Sequence, residues 1–130
     1  MDLNSFRTDK KLEVDGVWFD FDEDTSVKVA RGNNVHFTKL LTKLSKPVQA
    51  LARTGNLPED KASEIVAKAM AETILLDWKG IKLDGKVVKY SVENAAKILK
   101  DLPDFRDLIN ELANDRAAFA EEIAEESKGN

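Results

Sequence analysis

Residues 77–119 read DWKGIKLDGKVVKYSVENAAKILKDLPDFRDLINELANDRAAF, and they decide the fold by joining a tryptophan, an extended insert and two helices divided by a proline. Ile81, Lys82 and Leu83 alternate in polarity, Asp84-Gly85 is a hairpin turn pair, and Val87, Val88 and Tyr90 are β-formers. A short β excursion over about 81–89 is predicted. Ser91 is a good helix N-cap with Glu93 in the first turn, and Ala95, Ile98, Leu99 and Leu102 form an apolar face behind it. Pro103 suits the first turn of a further helix, expected to be the longest, with the stripe Phe105, Leu108, Ile109, Leu112, Phe119 and Ile123. Arg116 interrupts that stripe, and its long stem is expected to lie on apolar surface while its charge pairs with a carboxylate.

Upstream, Pro58, Glu59 and Asp60 open a helix whose inward face is Ala62, Ile65, Val66, Ala69, Thr73 and Leu76, with Lys79-Gly80 as the break after Trp78. Its small residues predict close helix packing. Before it, Phe37, Leu40, Leu41, Leu44, Val48 and Leu51 recur at helical spacing and read as a core stripe. Either Asn33 or Asn34 can cap that helix, Pro47 should divide it near Lys46, and Gly55 suits a left-handed end. Leu12, Val14, Val17, Trp18, Phe19 and Phe21 cluster about Asp15-Gly16, which predicts a first strand or hairpin over 11–21, with a second strand over 26–30.

The fold class that follows is α+β, mainly α: an N-terminal β-hairpin or short strands, then four to five helices, with the β excursion near 81–89. A chain of 130 residues fits a single domain over 1–130, with 1–10 and 124–130 expected to be flexible. No apolar run reaches the ~20 residues of a membrane span, so no membrane partner is expected. The net charge of −4 weighs against nucleic acid as a partner, although Lys39, Lys43, Lys46 and Arg53 would be the contacts of a small nucleic-acid binder.

The chemistry-bearing residues are sparse. There are no cysteines and one histidine, His36, at a helix start, where capping or packing is its expected role. A zinc site would then consist almost wholly of carboxylates, contrary to zinc's preference for nitrogen and sulfur. Asp20, Asp22 and Asp24 imitate the start of a calcium loop, but Thr25 stands where glycine is needed and Arg31 where a bidentate glutamate belongs. They read as an acidic turn. No phosphate loop or dinucleotide fingerprint is present, and the paired glutamates at 121–122 and 125–126 lie in a polar tail. No catalytic, cofactor or metal residues are assigned, and a non-enzymatic protein is expected.

Taken together, the fragments Val-Lys-Val-Ala-Arg-Gly-Asn-Asn, Thr-Gly-Asn-Leu-Pro, Leu-Leu-Asp-Trp-Lys-Gly, Tyr-Ser-Val-Glu-Asn-Ala, Leu-Pro-Asp-Phe and Ala-Asn-Asp-Arg-Ala-Ala-Phe carry a resemblance over about residues 15–119. In that order they resemble the small tail assembly chaperones of long-tailed, siphovirus-like bacteriophages. The resemblance implies a non-catalytic late protein that binds the tape measure protein, and by extension meets the tail tube protein, in the cytoplasm of the infected host. Such a protein is absent from the mature virion. Phe105, Leu108, Leu112, Arg116 and Phe119, or the facing Leu40, Leu44 and Val48, would then line a groove for a client helix. A structural head–tail connector or tail-terminator subunit is the alternative, and a homo-oligomer is open to either.

Overall fold

The computed structural model describes residues 1–121. After a 3-10 turn (Leu3–Phe6), a short helix α1 (Lys10–Asp15) leads into strands β1 (Val17–Asp20) and β2 (Ser26–Val29). Helix α2 (Val35–Ser45), a 3-10 turn (Lys46–Val48), α3 (Gln49–Arg53) and α4 (Glu59–Thr73) follow. Strand β3 (Leu75–Lys79) and the ribbon β4 (Lys82–Leu83) and β5 (Lys86–Val87) precede α5 (Val92–Asp101), α6 (Pro103–Ala113) and a last 3-10 turn (Arg116–Phe119). This is an α+β, mainly helical fold in which five helices come after the hairpin, as the sequence led us to expect.

The sheet is antiparallel in the order β1-β2-β3, and Phe19, Val27 and Trp78 share one row across it. That row faces the helices. Val27, Val29, Leu75 and Trp78 join Met70, Ala71, Ile74, Leu99, Ile109 and Ala113 in one core. Helix α4 packs against α2 on one side and α5 on the other, and α6 packs on α5 and β2. Ile65 and Ala69 of the expected inward face are buried, and so are Ala67, Met70 and Ala71, which the expected face did not include.

Several expectations require correction. The Asp15-Gly16 pair is no hairpin turn: Asp9 caps Lys11 N–H and Leu12 N–H, so 10–15 coil into α1, and Gly16 at φ +86° ends it. The hairpin instead turns at 21–25, where the Asp22 carboxylate accepts hydrogen bonds from Asp24 N–H and Thr25 N–H at 2.7 Å. Those bonds hold its carboxyl below the usual 3.8, and they give the acidic cluster a structural role.

Helix α4 stops at Thr73, short of Leu76. The chain from Leu75 to Lys79 pairs with β2 instead, with a bulge opposite Lys28 and Val29, and covers an edge that would otherwise be unpaired beneath the helices. Helix α6 stops at Ala113, where Asn114 leaves the helical conformation at φ −104° and ψ 9° and its side-chain N–H donates to the Asn110 carbonyl at 2.9 Å. The longest helix is therefore α4, at 15 residues against 11 for α6. Finally, Leu51 and Leu102, both read as core, are 46% and 41% exposed. Ile123 lies outside the described residues.

Near the N-terminus, Arg7, Thr8 and Asp9 bond to the end of the 3-10 turn at 116–119 and the residues after it. Asp9 N–H donates to the Phe119 carbonyl at 2.8 Å, Glu121 N–H to the Arg7 carbonyl at 3.0 Å, and Thr8 bridges to Ala120. Gly80, at φ +74°, passes so close to the β1–β2 turn that a Cβ there would lie 2.1 Å from the Asp24 carbonyl oxygen. Only glycine fits that crossing.

Two further groups fix the helices. Asn34 is the N-cap of α2: its Oδ1 accepts from His36 N–H and Phe37 N–H, while its buried Nδ2 donates to the Thr73 carbonyl at 3.1 Å. Asn34→Ala is expected to cost about 1–2 kcal/mol in chemical denaturation, since it removes the cap and leaves the end of α4 without that donor. Tyr90 donates its hydroxyl to the Leu75 carbonyl at 2.8 Å, and burial, then the Asp77 charge, raise its pKa above 10.0. Above pH 10 the unfolded chain releases this proton first, so the folded state binds more protons and stability falls as pH rises. Tyr90→Phe should remove that alkaline component, and unfolding midpoints taken across pH 9–11 check it.

Candidate partner-binding surfaces

A helix with an apolar stripe on one side is stable when that stripe is covered. Helix α2 carries such a stripe, yet none of its residues is fully buried, and the same holds for α3. Pro47 is the local cause: it divides the helix, so that a 3-10 turn over Lys46–Val48 separates α2 from α3. Between α2–α3 and α4 this leaves an open groove of about 460 Å³ whose walls include Leu41, Val48, Ala52, Leu57, Ile65 and Val66. A smaller depression of about 180 Å³ adjoins it at Leu44, Pro47, Val48 and Ile65, with Lys61, Glu64 and Lys68 at its edge.

A second open groove, of about 340 Å³, lies between the β1–β2 turn, the β4–β5 ribbon and helices α5 and α6. Phe21, Leu83, Leu102 and Leu108 line it with 36–44% of their surface exposed, alongside Ile98 and Phe105.

The residues suggested as client contacts fall into separate places. Val48 and Leu44 sit at the first groove and its adjoining depression, and Leu40 is half-buried nearby on α2. Phe105 and Leu108 line the second groove, whereas half-buried Leu112 packs against the core. Phe119 is fully buried, with the Arg31 guanidinium 5.5 Å from its ring centre. Arg116 is exposed and donates to the Ser5 carbonyl at 2.6 Å with its guanidinium 4.5 Å from the Phe6 ring centre, so its charge meets a carbonyl and an aromatic face rather than the expected carboxylate. The α2 and α6 sets do not face one another, because α2 packs on α4 while α6 packs on α5 and β2.

Sequence reading missed Ala52, Leu57, Ile65 and Val66 as groove walls, and Phe21, Leu83 and Leu102 as exposed apolar groups. Leu57 carried a signal, being a lone aliphatic residue between Gly55 and Pro58, where no helix stripe can use it. Periodicity cannot separate Ile65 and Val66 from ordinary core. His36 is exposed, and the Asn34 side chain caps its backbone N–H at 2.9 Å. Among the described residues, no cluster of three His, Cys, Asp or Glu side chains is arranged to hold a metal, and no helix is long and apolar enough to cross a membrane.

A comparison with protein families matches residues 32–130, from the loop before α2 onward, to the model described as YdaY prophage protein. The chain belongs to the YdaY prophage protein family. It is thus a protein of phage origin. No curated protein and no solved structure matches it significantly. In this YdaY-family protein the matched region contains all of α2 to α6, and with them every wall of the first groove, while α1, β1 and β2 precede it.

Proposed function

We propose that this prophage protein is a non-catalytic tail assembly factor, a chaperone that covers an apolar helical segment of the tape measure protein until the tail tube forms around it. The observation that carries the reading is the open aliphatic groove between α2–α3 and α4. Contiguous exposed apolar surface in a small protein marks a binding surface, and a helix seats its i, i+3, i+4 and i+7 side chains in such a groove. The phage origin of the chain and the resemblance carried by its Leu-Leu-Asp-Trp-Lys-Gly, Tyr-Ser-Val-Glu-Asn-Ala and Leu-Pro-Asp-Phe fragments supply the choice of client. On this reading the protein works in the cytoplasm of the host, meets the tail tube protein only as the tube closes on the client, and is absent from the mature virion.

Co-expression with the tape measure protein of the same prophage tests the proposal. The expected result is more soluble tape measure protein and co-purification of the two chains. Unchanged solubility without co-purification would refute it. If the protein persists in purified particles by mass spectrometry, it is instead a structural subunit such as a connector or tail terminator.

A further inference from the structure

We infer that the groove between α2–α3 and α4 selects an amphipathic helix whose apolar stripe is flanked by acidic side chains. This rests on the partner-binding reading above and specifies the chemistry of the partner. The chain as a whole carries a net charge of −4, yet residues 25–58 contain no aspartate or glutamate and include Lys28, Arg31, Lys39, Lys43, Lys46 and Arg53. That segment builds β2, α2 and α3, so one wall of the groove belongs to a purely basic stretch of an acidic protein. Lys46 sits on the groove itself. On the adjoining depression, Lys61 and Lys68 face a single carboxylate, Glu64, whose Oε1 is already 3.1 Å from Lys61 Nζ. Among the described residues Lys46 and Lys68 form no ion pair.

The walls and the rim therefore ask for different things. Aliphatic walls reward burial of leucine-like side chains, and the rim rewards negative charge placed beside them. A nucleic acid would satisfy the rim but leave Leu41, Val48, Leu57 and Val66 in contact with water or sugar-phosphate. An acidic amphipathic helix satisfies both. A groove of about 460 Å³ lies in the range of about 300–1,000 Å³ found for sites that enclose a compact ligand, and it suits a few anchor side chains of one helix.

Two synthetic peptides of about 18 residues, five helical turns, test this with the full chain. Both carry leucines at i, i+3, i+4 and i+7; one has glutamates flanking the stripe and the other lysines. Fluorescence anisotropy should show the glutamate peptide binding at least about 10-fold tighter at low salt, with the gap closing at high salt. Ala52→Glu, on the exposed surface of α3, should weaken that peptide by about 10-fold or more, and Lys46→Glu should reduce its preference over the lysine peptide. Circular dichroism shows whether each variant keeps its fold.

Equal affinities for the two peptides would overturn the inference, as would indifference to both substitutions. Duplex DNA displacing the glutamate peptide from the wild type, or self-association that Ala52→Glu abolishes, would reassign the groove and overturn it too. The broader reading fails separately: acidic-peptide binding without any effect on tape measure solubility sinks the tape measure assignment alone. Solubilised tape measure protein that ignores Ala52→Glu and Lys46→Glu sinks the groove alone.

Discussion

Replacing Phe119 by alanine is expected to destabilise the protein by about 3–5 kcal/mol, equivalent to a fall of roughly 10–20 °C in the thermal midpoint of a chain this size. The ring is fully buried and takes the Arg31 guanidinium at 5.5 Å, so truncation removes apolar burial and a cation–π partner together. The loss should spread, because the Phe119 carbonyl holds Asp9 N–H, and the bonds of Arg7 and Thr8 lie on either side. Urea denaturation with an unchanged slope and a lowered midpoint is the expected signature. A residue serving only as a client contact would behave in the opposite way, losing binding at unchanged stability. The substitution therefore separates the role given to Phe119 by its place in the sequence from the one given by its place in the fold.

Trp78→Ala should cost a similar amount, about 3–5 kcal/mol, for a different reason. Trp78 joins the sheet to the β4–β5 ribbon: it pairs with Val27 across β2, donates Nε1–H to the Val88 carbonyl at 2.8 Å, and meets the Tyr90 ring edge-on at 5.0 Å. Alanine leaves a cavity and strips the Val88 carbonyl of its donor. Trp78→Phe keeps most of the volume and loses the hydrogen bond, so a cost of about 1–2 kcal/mol isolates that term. The two tryptophans also differ in exposure, at 5% for Trp78 and 41% for Trp18. The blue-shifted part of the emission should disappear with Trp78→Phe, leaving the more exposed Trp18 signal.

Much of the architecture was legible because local rules agreed with tertiary packing. Asn34, Pro47, Gly55, Asp84-Gly85, Ser91 and Pro103 all act where their chemistry placed them. The failures share a cause, in that a local signal lost to a partner distant in sequence. Asp15-Gly16 is a turn pair, but the Asp9 cap makes the preceding residues helical. Leu76 continues a helical period, but the open edge of β2 recruits 75–79 as a strand. Phe119 falls on the α6 stripe by count, yet the chain leaves the helix at Asn114 and delivers the ring to the core by another path.

The candidate surface was less legible still. Val48 and Leu44 follow from their stripe, while Leu57, Ile65 and Val66 are walls only because α2, α3 and α4 meet around the groove. A stripe in sequence does not show whether another helix covers it. The absence of any fully buried residue in α2 or α3 is a property of the packing alone.

Hydrogen exchange of the full chain, free and mixed with a soluble fragment of the tape measure protein, tests the central claim most directly. Protection concentrated in residues 41–66, across the α2–α3 segment and the first half of α4, is the predicted result. An exchange pattern unchanged by the fragment, or protection confined to residues 98–112 on α5 and α6, would contradict it.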